Sequence, residues 1–105
     1  MTNEEIKLEN KLQELQLTAP RLKPSDIDAV IRDVTYTMLP SGKVMVCEIT
    51  LVNGFAVRGE SATVSKANFN QEIGREMSYK NAREQIWQFE GYLLQQRLYE
   101  EAKKS

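Results

Sequence analysis

Glu60 and Ser61 stand side by side in the run RGES and set a carboxylate beside a hydroxyl, the pairing that an acid and a nucleophile would need. No base completes it. The 105-residue chain has no histidine, which removes the commonest general base at neutral pH and the usual metal ligand. The single cysteine, Cys47, lies inside an apolar, strand-like run, KVMVCEITLV. Carboxylates and lysines are plentiful, but none is spaced for hydrolysis. These residues predict a protein that binds rather than turns over: no catalytic residue, no metal site and no cofactor. Glu60 and Ser61 are expected to tie a strand end to the following loop by hydrogen bonds.

Fourteen basic and fifteen acidic residues give a formal charge of −1. That balance supplies no long-range attraction for duplex nucleic acid or for an anionic membrane, yet leaves room for a compact anion held by a few local arginines. No apolar run approaches the roughly 18 residues that span a bilayer, and the polar opening MTNEEIKLEN does not read as a secretory signal. One cysteine allows no intrachain disulfide, which fits a reducing cytoplasm.

Residues 3–17 carry Ile6, Leu8, Leu12 and Leu15 at loose helical spacing, predicting a helix that is weakly anchored because so short a helix is marginal in water. Pro20 and Pro24 bracket a linker, so residues 1–24 are expected to stand apart from a single α+β domain over 25–105. Ser25 reads as the cap of a short helix, SDIDAVIRD, with Ile27, Val30 and Ile31 facing inward. From Val34 the period changes to that of strands. VTYTML, a turn at PSG, and KVMVCEITLV are followed by Asn53-Gly54, which predicts a hairpin with both turn residues at positive φ. Met45, Cys47, Ile49 and Leu51 form the apolar strand face; Phe55 and Val57 share one side of the next arm, Ala56 and Arg58 the other. Asn68 or Asn70 is expected to cap a long helix from about residue 71 to about 102. Ile73, Met77, Ala82, Ile86, Phe89, Leu93 and Leu94 supply its apolar stripe, with Trp87, Tyr92, Leu98 and Tyr99 extending it. Such a helix outruns strands of this length, so its far end calls for cover by a second copy of the chain. The same demand for close approach would account for Gly74 and Gly91 inside it; a merely tolerated glycine is the other reading.

The strings LTAPRLKPSDIDAVI and LVNGFAVRGESATVSKANFNQEIGREMSYKNAREQIWQFEGYLL resemble a family of short tailed-phage proteins over about residues 17–99. That family includes the anti-CBASS sponges, homo-hexamers that bind cyclic di- and trinucleotide messengers without cleaving them. The resemblance implies a homo-oligomer in the host cytoplasm that sequesters such ligands between protomers. It places Gly54, Phe55, Ala56 and Arg58 in the phosphate-contacting segment, Arg97 as a phosphate-facing arginine, and Tyr36 as an aromatic stacked on a base. Two positions depart from the pattern. Ala56 stands where a lysine would serve a dinucleotide phosphate, and Arg58 where a small hydroxyl residue is common, which shifts the expectation toward a trinucleotide bound where several copies of Arg58 and Arg97 converge. Each residue also has a plainer role open to it: Arg58 or Arg97 in a surface ion pair, Tyr36 in packing, Gly54 in the turn alone. The alternative function is a phage protein–protein adaptor working through the N-terminal and long helices.

Overall fold

The computed structural model describes residues 1–17 and 19–104; Thr18 and Ser105 lie outside them. Its elements run α1 (Asn3–Glu14), α2 (Pro24–Val30), β1 (Ile31–Met38), β2 (Val44–Leu51), β3 (Ala56–Ala62), a 3-10 turn at Lys66–Asn68, and α3 (Gln71–Lys104). The strands make one antiparallel sheet in the order β1–β2–β3, so the chain is α+β as its periods predict. It divides into two compact units, Val30–Ile86 and a second made of Met1–Ala29 with Trp87–Ser105; α3 contributes residues to each.

In the sheet unit, Met45, Cys47, Ile49 and Leu51 of β2 are at most 5% exposed, and Val57 of β3 joins them at 3%. Burial of this kind stabilises by about 1.5–3 kcal/mol for each large aliphatic side chain. α3 seats on that face by a row of small residues, Gly74, Ser78 and Ala82, followed by Ile86. Opposite them, Gly59 of β3 lets helix and strand backbones touch, because a Cβ there would run into main-chain atoms of Ser78, Asn81 and Ala82. Two hydrogen bonds lock the contact: Ser61 Oγ donates to the Gly74 carbonyl at 2.9 Å, and Asn81 Nδ2 donates to the Glu60 carbonyl at 2.8 Å. The expected tie at Glu60-Ser61 therefore exists, but it runs to α3 and uses the main chain of Glu60. Asn70 caps α3, its Oδ1 accepting from the Ile73 amide at 3.0 Å.

Several expectations are corrected. Ala82 and Ile86 are buried, but Ile73 and Met77 are exposed, because the small residues rather than the large ones face the sheet; Phe89, Tyr92, Leu93 and Tyr99 are exposed too, at the end of α3 expected to lie open in a single copy. Gly74 answers to its own chain: a Cβ would come within 2.6 Å of the Phe69 ring. The short helix stops at Val30, and Ile31 enters the sheet opposite Leu51, since strand pairing takes over residues that helical spacing also allowed. Pro24 leads that helix, so Ser25 lies within its first turn; Asp26 instead accepts from the Lys23 amide at 2.9 Å. Ile27 is fully buried, as expected, while Val30 and Ile31 are half-buried.

The Asn53-Gly54 hairpin forms with a different turn. Gly54 has φ 92°, while Asn53 does not take positive φ. The Leu51 carbonyl accepts from the Gly54 amide at 2.9 Å, and the Leu51 amide donates to the Phe55 carbonyl at 2.7 Å. This closes a three-residue loop with the left-handed residue last. Asn53 Oδ1 accepts from the Phe55 amide at 3.0 Å, so its side chain holds the turn that its backbone was expected to make.

In the other unit, α1 is held by polar ties. Thr2 and Glu5 form a reciprocal capping box, and Trp87 Nε1 donates to the Glu5 carboxylate at 2.9 Å. Both terminal nitrogens of Arg21 donate to Glu9, at 2.6 and 2.8 Å. That hydrogen-bonded guanidinium, with help from Gln13, lowers the Glu9 carboxyl to about 2. α1 itself buries no residue. It borders an apolar cleft of about 210 Å3 lined by Leu8, Leu12, Leu22, Pro24 and Trp87.

Candidate functional site

The strand register sorts the sequence-picked residues onto opposite faces of the sheet. Tyr36 of β1 pairs with Cys47, which pairs with Gly59, so Tyr36 belongs to the face that carries α3. Thr35 pairs with Glu48, which pairs with Arg58, so Arg58 belongs to the outer face with Ala56. Gly54 and Phe55 sit in the exposed loop joining β2 to β3. Arg97 is exposed on α3 in the other compact unit. One protomer therefore does not present Tyr36 and Arg58 to the same small ligand.

Two carboxylates stand near Arg58. Glu48 stands directly across from it, and Glu60 is two residues along on the same face. A dianionic neighbourhood of this kind offsets the attraction that one guanidinium offers.

On the inner face the surroundings differ. Gly74 and Asn81 bond the β3 side, which turns the opposite flank of α3 toward β2 and β1. That flank carries Arg75, Tyr79 and Arg83, spaced by four. Arg83 is 1% exposed; its Nη1 donates to the Tyr79 hydroxyl at 3.0 Å, and its guanidinium lies 5.9 Å from the Tyr79 ring centroid. Tyr36 is 38% exposed beside them. Burial raises its phenol above the usual value, Cys47 and Tyr79 add to the rise, and Arg75 draws it down. Burial also pushes the Cys47 thiol up to about 11, so it is a neutral floor rather than a nucleophile. Two phenol rings, an exposed guanidinium and an uncharged floor thus meet at one end of the sheet. Arg75, Tyr79 and Arg83 were not singled out from sequence; their Arg-Tyr-Arg spacing was visible, but only the register of Tyr36 gives it meaning.

Farther along α3, Phe89, Leu93 and Arg97 follow one another at intervals of four, all exposed. Tyr92 is 70% exposed.

Residues 22–98 match the phage protein (N4 Gp49/phage Sf6 gene 66) family. The chain belongs to that family. The matched stretch takes in Tyr36, Gly54, Phe55, Ala56, Arg58, Arg97 and the Arg75–Tyr79–Arg83 row, and leaves out α1. No curated protein and no solved structure gives a match. Among the described residues of this N4 Gp49/Sf6 gene 66 family member, no helix is long and apolar enough to cross a membrane.

Proposed function

We propose that this phage protein sequesters cyclic di- or trinucleotide messengers without cleaving them, in pockets formed where copies of the chain meet. The observation that carries the reading is the exposed Phe89–Leu93–Arg97 row on α3. Apolar side chains at the start of the row favour cover by a second copy, and Arg97 at its end supplies the planar cation that suits a phosphate at such a seam. The resemblance to cyclic-nucleotide sponges names the ligand class, and the homo-hexamer is the assembly it favours. A base needs a ring face and a phosphodiester needs cations or main-chain amides; Tyr36, the Gly54–Phe55 loop and Arg97 supply those kinds of group.

The test is a thermal-shift and light-scattering screen with cyclic di-AMP, cyclic GMP-AMP and cyclic tri-AMP. A ligand at 100 times its dissociation constant adds about 2.7 kcal/mol, which raises Tm by roughly 10 °C in a domain of this size. An oligomer whose Tm rises with one member of the panel supports the reading. An intact oligomer indifferent to all of them overturns it.

A second reading is a protein adaptor, favoured by the exposure of Leu8, Leu15 and Leu17 on and just beyond α1. It predicts that Leu8→Asp with Leu15→Asp abolishes function during infection while leaving nucleotide binding, if any, unaltered.

A further inference from the structure

The sequence-picked arginine of the sheet, Arg58, lies on the outer face beside Glu48 and Glu60, whereas the sequence-picked aromatic, Tyr36, lies on the inner face. If one ligand unit is to be stacked and charge-paired by a single protomer, its cation has to come from the inner side. The flank of α3 turned toward β1 offers one. Arg75 is exposed, and among the described residues its guanidinium has no ion-pair or hydrogen-bond partner. One turn on, Tyr79 is half-buried, with its hydroxyl accepting from Arg83 at 3.0 Å. That bond fixes the Tyr79 ring.

We propose that the inner-face group of Tyr36, Tyr79 and Arg75 is a nucleotide subsite, with the tyrosine rings against a base and the Arg75 guanidinium on the adjoining phosphodiester. The inference rests on the cyclic-nucleotide reading above and gives it residues that the family resemblance does not. Its chemistry is specific to a flat, hydrogen-bonding ring joined to a monoanion. A lone phosphate would gain nothing from the two rings, and a neutral aromatic would lack the charge pairing that Arg75 gives a phosphodiester. Arg83, being buried, positions Tyr79 rather than touching the ligand.

Isothermal titration of the intact protein with cyclic di-AMP, cyclic GMP-AMP and cyclic tri-AMP tests it, alongside Arg75→Gln, Arg75→Lys, Tyr36→Leu and Arg58→Gln. Arg75→Gln and Tyr36→Leu are expected to weaken binding by about tenfold or more. Arg75→Lys, which keeps the charge and loses the planar fork, falls between Arg75→Gln and the natural chain. Arg58→Gln changes affinity by less than about twofold, as expected of a charge lying outside the ligand's reach. Arg75 is exposed, so Arg75→Gln is expected to keep the natural Tm and its loss of binding reads as a lost contact. Binding by the natural chain that Arg75→Gln leaves intact overturns the subsite while sparing the function. Absence of binding by the natural chain overturns both.

Discussion

The two faces of the sheet carry arginines of the same type in different company. On the outer face Arg58 has Glu48 across from it on the neighbouring strand and Glu60 two residues along its own. On the inner face Arg75 shares a flank of α3 with Tyr79, near Tyr36 and the uncharged Cys47. A cation's usefulness to an anionic ligand depends on the net field around it and on a surface for the rest of the ligand to lie against. By that measure the inner face is the one proposed as the receptor, although the outer one carries the arginine closer to the recognisable hairpin.

The largest effect should come from breaking the contact that creates the inner face. Gly59→Ala drives a Cβ into the main chain of Ser78 and Ala82, and neither can give way without moving α3. A loss of about 3 kcal/mol is expected, read as a Tm fall of more than about 10 °C. Gly54→Ala is the contrasting case: nothing lies within 4 Å of the added Cβ, so only the strain of φ 92° remains. It should cost about 1 kcal/mol in the same measurement. Equal losses from the two variants would show that α3 is not seated through Gly59.

Next comes the exposed row on α3. Leu93→Asp puts a charge where a second copy is proposed to pack, and light scattering should show the assembly falling to single chains that keep their secondary structure by circular dichroism. An unaltered oligomer would move the contact elsewhere on the molecule.

The smallest effect concerns α1. Glu9 titrates near 2 when paired with Arg21, below its ordinary 4.5. A carboxyl lowered in the folded state contributes stability above about pH 4.5 and loses it as pH falls through about 2. Fluorescence of Trp87, the sole tryptophan, whose indole bonds Glu5 of the same helix, should therefore change between about pH 4.5 and 2. In Glu9→Gln that change should be lost or shifted to another pH.

Much of the fold was legible in the chain. The alternation of Met45, Cys47, Ile49 and Leu51 marks the core face because a strand's period of two admits only one buried set. Asn70 and the Asn53-Gly54 pair mark a cap and a turn by chemistry that acts over a few residues. The buried face of α3 is not legible there, because side-chain size is the usual signal for burial. Gly59 reverses that signal by letting Gly74, Ser78 and Ala82 approach main chain to main chain, and nothing local to α3 reveals a glycine on another strand. The end of the helix at Val30 was missed for a similar reason, since Ile31 suits both periods and its pairing with Leu51 decides. As for the candidate site, Tyr36 was marked by resemblance, but its companions follow only from register. A one-residue shift of β1 would carry Tyr36 to the other face, away from Arg75 and Tyr79.

The most direct test of the account is to see which face of the sheet meets the ligand. Amide and side-chain NMR signals should be followed while the cyclic nucleotide that raises Tm most is titrated in. The account predicts saturable shifts at Tyr36, Cys47, Arg75 and Tyr79, with Glu48 and Arg58 unmoved. Shifts centred on Glu48 and Arg58, with Tyr36 and Arg75 silent, would contradict it.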